Sequence, residues 1–410
     1  MPRLNLRAKR LHTSSSQSDH RMHSFRHIVG PLRLFHGPDS LEMLCAELQR
    51  LNSRRAVIVC GASLQREGVL LELVRTAAGD RLAGVHAGVL AHSPVPAVEA
   101  AAQTLKQLKA DAVIALGGGS SIVTARAASI LVAEDGNAKT LCTSTDASGR
   151  LTSPKLLRPK LPQLLIPTTP TTATVKAGSA VLDPVDNRRL ALFDPKTRAH
   201  SIFIHPAAIN SAPCQLVASA GLNTLTLACE GLMSRSGDPI SDALLMHSVR
   251  LMARRLPDAA GSADLAGRSD LMLAAILCGQ GTDYTGAGIA IPLGHAISAR
   301  FHIDNGISNA IVLPHVLRFN AAAAGTGLAK LALSLPPSGV AAEADLETVS
   351  KALEAICGDL GIPRRLRDVG VPHDALAELA DVAMQDWFVR NNPRPVREAA
   401  ELQQVLEEGW

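Results

Sequence analysis

Residues 112–133 pass from an unbroken apolar run, through three glycines, into a helix-compatible segment. Nothing else in the chain limits its fold as tightly. Residues 112–116 (AVIAL) read as a buried strand, Gly117, Gly118 and Gly119 as a tight turn, and Ser120 and Ser121 as a helix start. The helix then continues over 122–133. Glycine lets backbone approach a ligand closely, and the free N–H groups of a helix start attract phosphate oxygens. The order therefore predicts a cradle for a dinucleotide pyrophosphate, and with it a nicotinamide cofactor, NAD or NADP. A purely steric use of glycine in a strand-to-helix turn is the competing reading, and the triplet alone does not separate them.

At 410 residues the chain is long for one core, so two domains are expected. With 47% hydrophobic and 19% charged residues it belongs among ordered globular proteins. Aromatic residues are only 2%, which argues against base stacking as its mode of action. The net charge is +4, but Arg3, Arg7, Lys9, Arg10, Arg21 and Arg26 face only Asp19. The remainder is near neutral, so a nucleic-acid groove is not expected. Seven scattered cysteines without a CxxC pair imply free thiols in a reducing compartment. No apolar run approaches a bilayer span, the N-terminus has no apolar signal core, and a cytoplasmic location is expected. Residues 1–24 read as a disordered basic tail. A transit peptide, or a start at Met22, are the other readings.

Short β-branched runs alternate with amphipathic segments from about residue 25 to 205. Strands are expected over 56–60, 112–116, 161–167 and 201–205, with a helix over 96–108. This alternation predicts βαβ units and a mostly parallel sheet. Ligands of such sheets bind beyond the carboxyl ends of the strands, where Gly117 and the threonine-rich loop at Thr168 would lie. Residues 136–159 are polar and proline-rich, and read as an irregular excursion at the sheet edge. From residue 206 to 410 strand signals largely stop, and helical spacing recurs over 213–233, 239–255, 269–277, 310–323, 346–360 and 374–388. The expected architecture is an α/β dinucleotide-binding domain over 25–205 followed by an all-helical domain over 206–410, with the active site in the cleft between them.

In this order, GGGSSIVTARA (117–127), IPTTPTT (166–172), SAGLNTLTLACEGLMS (219–234), NAIVLPHVLRFN (309–320) and DWFVRNNPRPV (386–396) form a recognisable set. Together with RHIVGPLRLFHG (26–37), which looks like an opening strand pair, they make the chain resemble the iron-containing (group III) alcohol dehydrogenases, including their maleylacetate reductase branch. The resemblance runs from about Phe25 to Val396 and implies a dehydroquinate synthase-like architecture. It also implies an NAD(P)-dependent oxidoreductase of alcohols or carbonyls, and a homodimer or larger homo-oligomer. Gly61, Ser63, Gly117, Gly118, Gly119, Ser120, Ser121, Thr168, Thr169 and Thr172 are the implied cofactor contacts.

The departures from the family pattern carry the chemistry. Carried over by position, the four metal ligands of the metal-dependent members fall on Asn223, Leu227, Ile291 and Asn305. Two amides and two hydrocarbon side chains do not make a site for a divalent ion, so no metal is expected and these positions become substrate pocket. His295 aligns with the family's additional pocket histidine, and the resemblance implies a catalytic role for it. Its residue type alone also suits a satisfied structural histidine. His302 reads as loop or surface, and His315 as packing at a helix start. In the second cofactor loop Thr171 and Ala173 stand where glycines are usual, and Val175 where an acid is. Val123 replaces an Asp common among the alcohol dehydrogenases, a loss shared with the reductase branch, as is Asn at 223. After the strand over 56–60, the position where NAD-preferring members often carry Asp is Gly61, so a 2′-phosphate meets no repulsion and NADP is permitted. Two functions remain open: a metal-independent oxidoreductase using His295 as general acid, and a decayed member that binds a nucleotide or metabolite. A glycerol phosphate dehydrogenase or sugar-phosphate cyclase fits less well, since those also need a metal.

Overall fold

The computed structural model describes residues 25–146, 150–186, 188–261, 264–336 and 346–410, so the basic tail over 1–24 lies outside the described residues. The strands in chain order are β1 (Arg33–His36), β2 (Ala56–Gly61), β3 (Leu82–Val89), β4 (Ala112–Gly117), β5 (Ser144–Thr145), β6 (Leu151–Thr152), β7 (Gln163–Pro167), β8 (Gly178–Asp183), β9 (Arg188–Phe193) and β10 (Ala199–Ile204). Six of them form one sheet in the order β1-β10-β7-β4-β2-β3. Every pairing in it is parallel. All six residues of β4 are buried, as a central strand covered on both faces requires. Alternate residues go to opposite cores. Ile58, Ile114, Leu164 and Phe203 point into one, while Val57, Val59, Val113 and Leu165 point into the other.

From β2 the chain steps outward to β3, and then returns to place β4 on the other side of β2. The winding direction therefore reverses between β2 and β4. Open α/β sheets bind ligands beyond the strand ends at such a reversal.

The second half is helical, built around Cys214–Met233, Pro239–Gly261, Leu265–Thr285, Ala290–Phe301 and Asn305–Asn320. Close approach needs glycine at the helix crossings: a Cβ on Gly306 would stand 1.8 Å from the Ser219 carbonyl oxygen. Cys214–Met233 is long and apolar enough to cross a membrane by length and composition, against the expectation that nothing in the chain is, but 67% of that window is buried inside the protein. It is the central helix of the second core, surrounded by Leu245, Leu256, Leu293 and Val316.

Several elements differ from the expectation. The opening strand pair is a single strand, β1, because residues 25–32 leave the sheet. There the ring of His27 stacks on Tyr284 of the helical half, with centroids 4.2 Å apart. The helix after the glycines begins at Gly119, just ahead of the start expected at Ser120 and Ser121. Leu265–Thr285 and Asn305–Asn320 extend well beyond their apolar cores, since His315 and Pro314 sit inside the latter helix. His315 is therefore not at a helix start, although it does pack, with its ring 3.2 Å from where a Gly409 Cβ would be. Strand β3 and the antiparallel hairpin β8–β9 were not anticipated. The described part of 136–159 is not at an edge of the six-stranded sheet, which β1 and β3 occupy. It lies against the hairpin, with Thr143 N–H donating to the Ala191 carbonyl at 2.7 Å.

Candidate active site

The expected turn lies at the end of β4, at the β2–β4 reversal. Gly117 has φ +135°, a conformation side chains rarely adopt. Gly118 caps the helix Gly119–Glu134, and no side chain satisfies that helix start. Strand register brings Pro167 level with Gly117, and Thr168 N–H then donates to the Gly117 carbonyl at 3.1 Å. The two loops consequently face each other. A Cβ on Gly117 would stand 2.5 Å from Ser121 Oγ, one on Gly118 3.1 Å from Thr169 Oγ1, and one on Gly119 3.1 Å from Thr171 Oγ1. Bare backbone, an uncapped helix start and facing hydroxyls suit a pyrophosphate-bearing group.

Thr171, counted in the sequence as a replaced glycine, faces Gly119 and also caps the turn at Ala173 N–H. Thr172 instead presents its backbone to Gly279 of the helical half, 2.9 Å from where a Cβ would be. Gly61 caps the short helix Ala62–Glu67. Ser63 is exposed on that helix.

His295 lies on the helix Ala290–Phe301. Its Nδ1 is 3.0 Å from Asp386 Oδ2. An ionised carboxylate only accepts, so Nδ1 carries the proton and Nε2 is left for another partner. Asp386 is itself held, accepting from Phe388 N–H at 3.0 Å. Burial pushes the His295 imidazole below the ordinary histidine value, the charge of Arg189 adds to this, and Asp386 opposes both. The helix that carries His295 is anchored by Glu230, which accepts from Ala290 N–H at 2.7 Å. Burial raises the Glu230 carboxyl to about 7, with backbone donors at Ala290, Gly288 and Ile291 opposing the shift.

Arg189 of β9, His295 and Asp386 line one cavity of about 470 Å³ between the hairpin and the helical half. The segment over 136–159 contributes Lys139, Cys142, Thr143 and Ser144 to its wall. His92 joins the edge of this cluster, its Nδ1 3.4 Å from Arg189. Its neighbour Ser93 donates to the Ser120 carbonyl at 3.1 Å, tying the cluster to the glycine turn. Both His92 and Ser93 have positive φ.

Asn223, Leu227, Ile291 and Asn305 do not line this cavity. Asn223 Oδ1 accepts from Asn309 Nδ2 at 2.8 Å, Leu227 packs on the helical core, and Ile291 is buried. Asn305 opens the helix Asn305–Asn320 with its Oδ1 buried and unpartnered. Among the described residues no group of three or more His, Cys, Asp or Glu side chains is placed to hold a metal ion. The donor set at the four family positions does not fit a divalent cation: two hydrocarbons donate nothing, and one amide oxygen is already engaged.

Sequence reasoning missed Asp386, Arg189, His92 and Asn309 as site residues. Asp386 had a signal, standing first in the C-terminal signature, but its partner is 91 residues away. Arg189 had only the alternating burial of β9.

A parallel sheet reversing beside a glycine turn, followed by a helical half, defines an α/β-plus-helical architecture. A model of the iron-containing alcohol dehydrogenases matches residues 31–206, and one of the C-terminal part of the Fe-containing alcohol dehydrogenase family matches 217–410. The chain belongs to the iron-containing alcohol dehydrogenase family, with its dehydroquinate synthase-like fold. It is 28% identical over 375 residues to lactaldehyde reductase of Escherichia coli (strain K12), covering 90% of this chain and 95% of that one. It is 27% identical over 379 residues to maleylacetate reductase of Sphingobium indicum, covering 91% and 94%. The crystal structure of a 1,3-propanediol oxidoreductase superposes with a TM-score of 0.85 at 22% identity, covering 95% of this chain and 100% of that chain.

Proposed function

We propose that this oxidoreductase is NAD(P)-dependent and transfers a hydride between nicotinamide and an alcohol or carbonyl carbon, without a bound metal ion. The domain over 25–205 would hold the cofactor and that over 206–410 the substrate, with chemistry in the cleft between them. Bound at the glycine turn, the cofactor supplies or accepts the hydride at C4 of its nicotinamide. Gly117, Gly118, Gly119, Ser120 and Ser121, with Thr168 and Thr169 opposite, cradle its phosphates. Gly61 leaves room for a 2′-phosphate, since no carboxylate stands on the turn after β2.

The observation that carries this reading is the Asp386–His295 pair at 3.0 Å on the wall of the cavity. Asp386 fixes the imidazole so that Nε2 serves the substrate oxygen. In reduction Nε2–H gives its proton to that oxygen as the carbon gains hydride, and in oxidation neutral Nε2 takes the proton back. The donor set supports metal independence, because the family ligand positions hold Asn223, Leu227, Ile291 and Asn305.

NADH or NADPH oxidation with a panel of small aldehydes and oxo acids tests the reading. The rate should persist in chelator and fall by roughly 10²–10⁴-fold in His295→Ala, the usual contribution of a general acid. A rate that depends on added iron or zinc would overturn metal independence. Calorimetry showing neither nucleotide bound at millimolar concentration would overturn the oxidoreductase reading and leave the decayed member.

A further inference from the structure

The cavity that holds His295 also holds a cation with no ion-pair contact among the described residues. Four charged side chains besides His295 line it: Lys139, Arg188, Arg189 and Asp386. Three are basic. Lys139 is already paired with Asp183 at 2.7 Å, and Arg188 stands 3.8 Å from Asp186. Asp386 spends one oxygen on His295 and the other on Phe388 N–H. Arg189 alone of the three basic groups has no ion-pair partner among the described residues, and its Nε is buried with no hydrogen-bond partner at all. Its hydrogen-bond contact is the His92 ring, at a long 3.4 Å, and the Asp386 carboxylate acts on it through charge without an ion-pair contact. A guanidinium left so in a walled cavity carries an unmet demand for acceptor oxygens, and its fork matches a carboxylate.

We propose that Arg189 is a substrate-anion subsite: it binds a carboxylate on the substrate while His295, on the same wall, serves the reacting oxygen. This rests on the oxidoreductase reading and narrows its substrate class to small oxo acids and the matching hydroxy acids. The subsite makes no bond. It orients the molecule and neutralises its charge, so that neutral carbonyl compounds of the same length bind more weakly.

Succinate, a dicarboxylate that the enzyme cannot reduce, and its neutral counterpart succinamide are the probes, titrated by calorimetry into the full chain. NADPH is titrated separately. The wild type should prefer succinate, and Arg189→Met should lose that preference by about tenfold or more. Arg189→Lys, which keeps the charge, should retain part of it. NADPH affinity should be the same in all three proteins. A wild type indifferent to the charge, or a preference that survives in Arg189→Met, would overturn the subsite while leaving the oxidoreductase reading intact. A fall in NADPH affinity in Arg189→Met would also overturn it, by giving Arg189 to the cofactor. Succinate preference with no nucleotide binding would do the reverse, keeping the subsite and removing the oxidoreductase reading. If Arg189→Met does not fold, Arg189→Lys decides: loss of the whole preference there counts against a charge-reading site.

Discussion

Asp386, which positions His295 in the proposed reaction, can be changed without removing its turn-capping oxygen. In Asp386→Asn the amide Oδ1 still accepts from Phe388 N–H, but no carboxylate faces His295 Nδ1. The kcat for carbonyl reduction should fall about 10–100-fold, as when an orienting partner is lost. The pH profile gives the sign. Burial and Arg189 already hold His295 below its ordinary value, so the neutral ring dominates at pH 7 and the reductive rate should rise as pH falls. Asp386 raises the imidazole against those effects. Removing it should move the rising limb to still lower pH, and steady-state rates across pH 5–8 check the shift. A merely structural role would lower the rate without moving the limb.

Among the elements, the helix after the glycine turn depends on one buried cation. Arg126 is fully enclosed and donates to the Gly178 carbonyl at 2.7 Å and to the Ala173 carbonyl at 2.5 Å. It thus fastens Gly119–Glu134 to the threonine loop and to the first strand of the hairpin. Burial brings its guanidinium down to about 9, with Arg198 adding and Asp283 opposing. Arg126→Met would fill the space but strand two carbonyls, and should cost about 2–5 kcal/mol by denaturant unfolding. Nucleotide affinity should fall as well, since both cradling loops lose their common tie.

For the whole molecule, the junction of the halves sets the shape of the cleft. Lys176 contacts Asp283 at 3.0 Å and Arg198 contacts it at 2.7 Å. Thr224 of the helical half donates to the Pro170 carbonyl at 3.0 Å. Gly279 is the tightest point: a Cβ there would stand 2.4 Å from Val175 Cγ2 and 2.9 Å from the Thr172 carbonyl oxygen. Gly279→Ala should therefore push the threonine loop away from the helix Leu265–Thr285. The cost should be about 1–3 kcal/mol. Calorimetric melting should show it as a lower Tm, together with weaker nucleotide binding.

The parallel sheet, the glycine turn and the helical second half were legible in the residues, because strand and helix patterns repeat over a few positions. The family was legible too, since it rests on residue identity at positions in an ordered series of motifs. The single opening strand was not, since residues 25–32 look extended but pack on Tyr284 of the other half. Neither was the hairpin, whose half-buried alternation over 178–193 has no local partner but itself. The site was split in the same way. Gly117 and Thr168 could be placed from the ends of their strands, whereas His295, Asp386 and Arg189 meet across more than ninety residues of chain. Local chemistry writes an element into its own stretch of sequence. Which side chains share a cavity depends on how those elements pack, and only the folded chain holds that information.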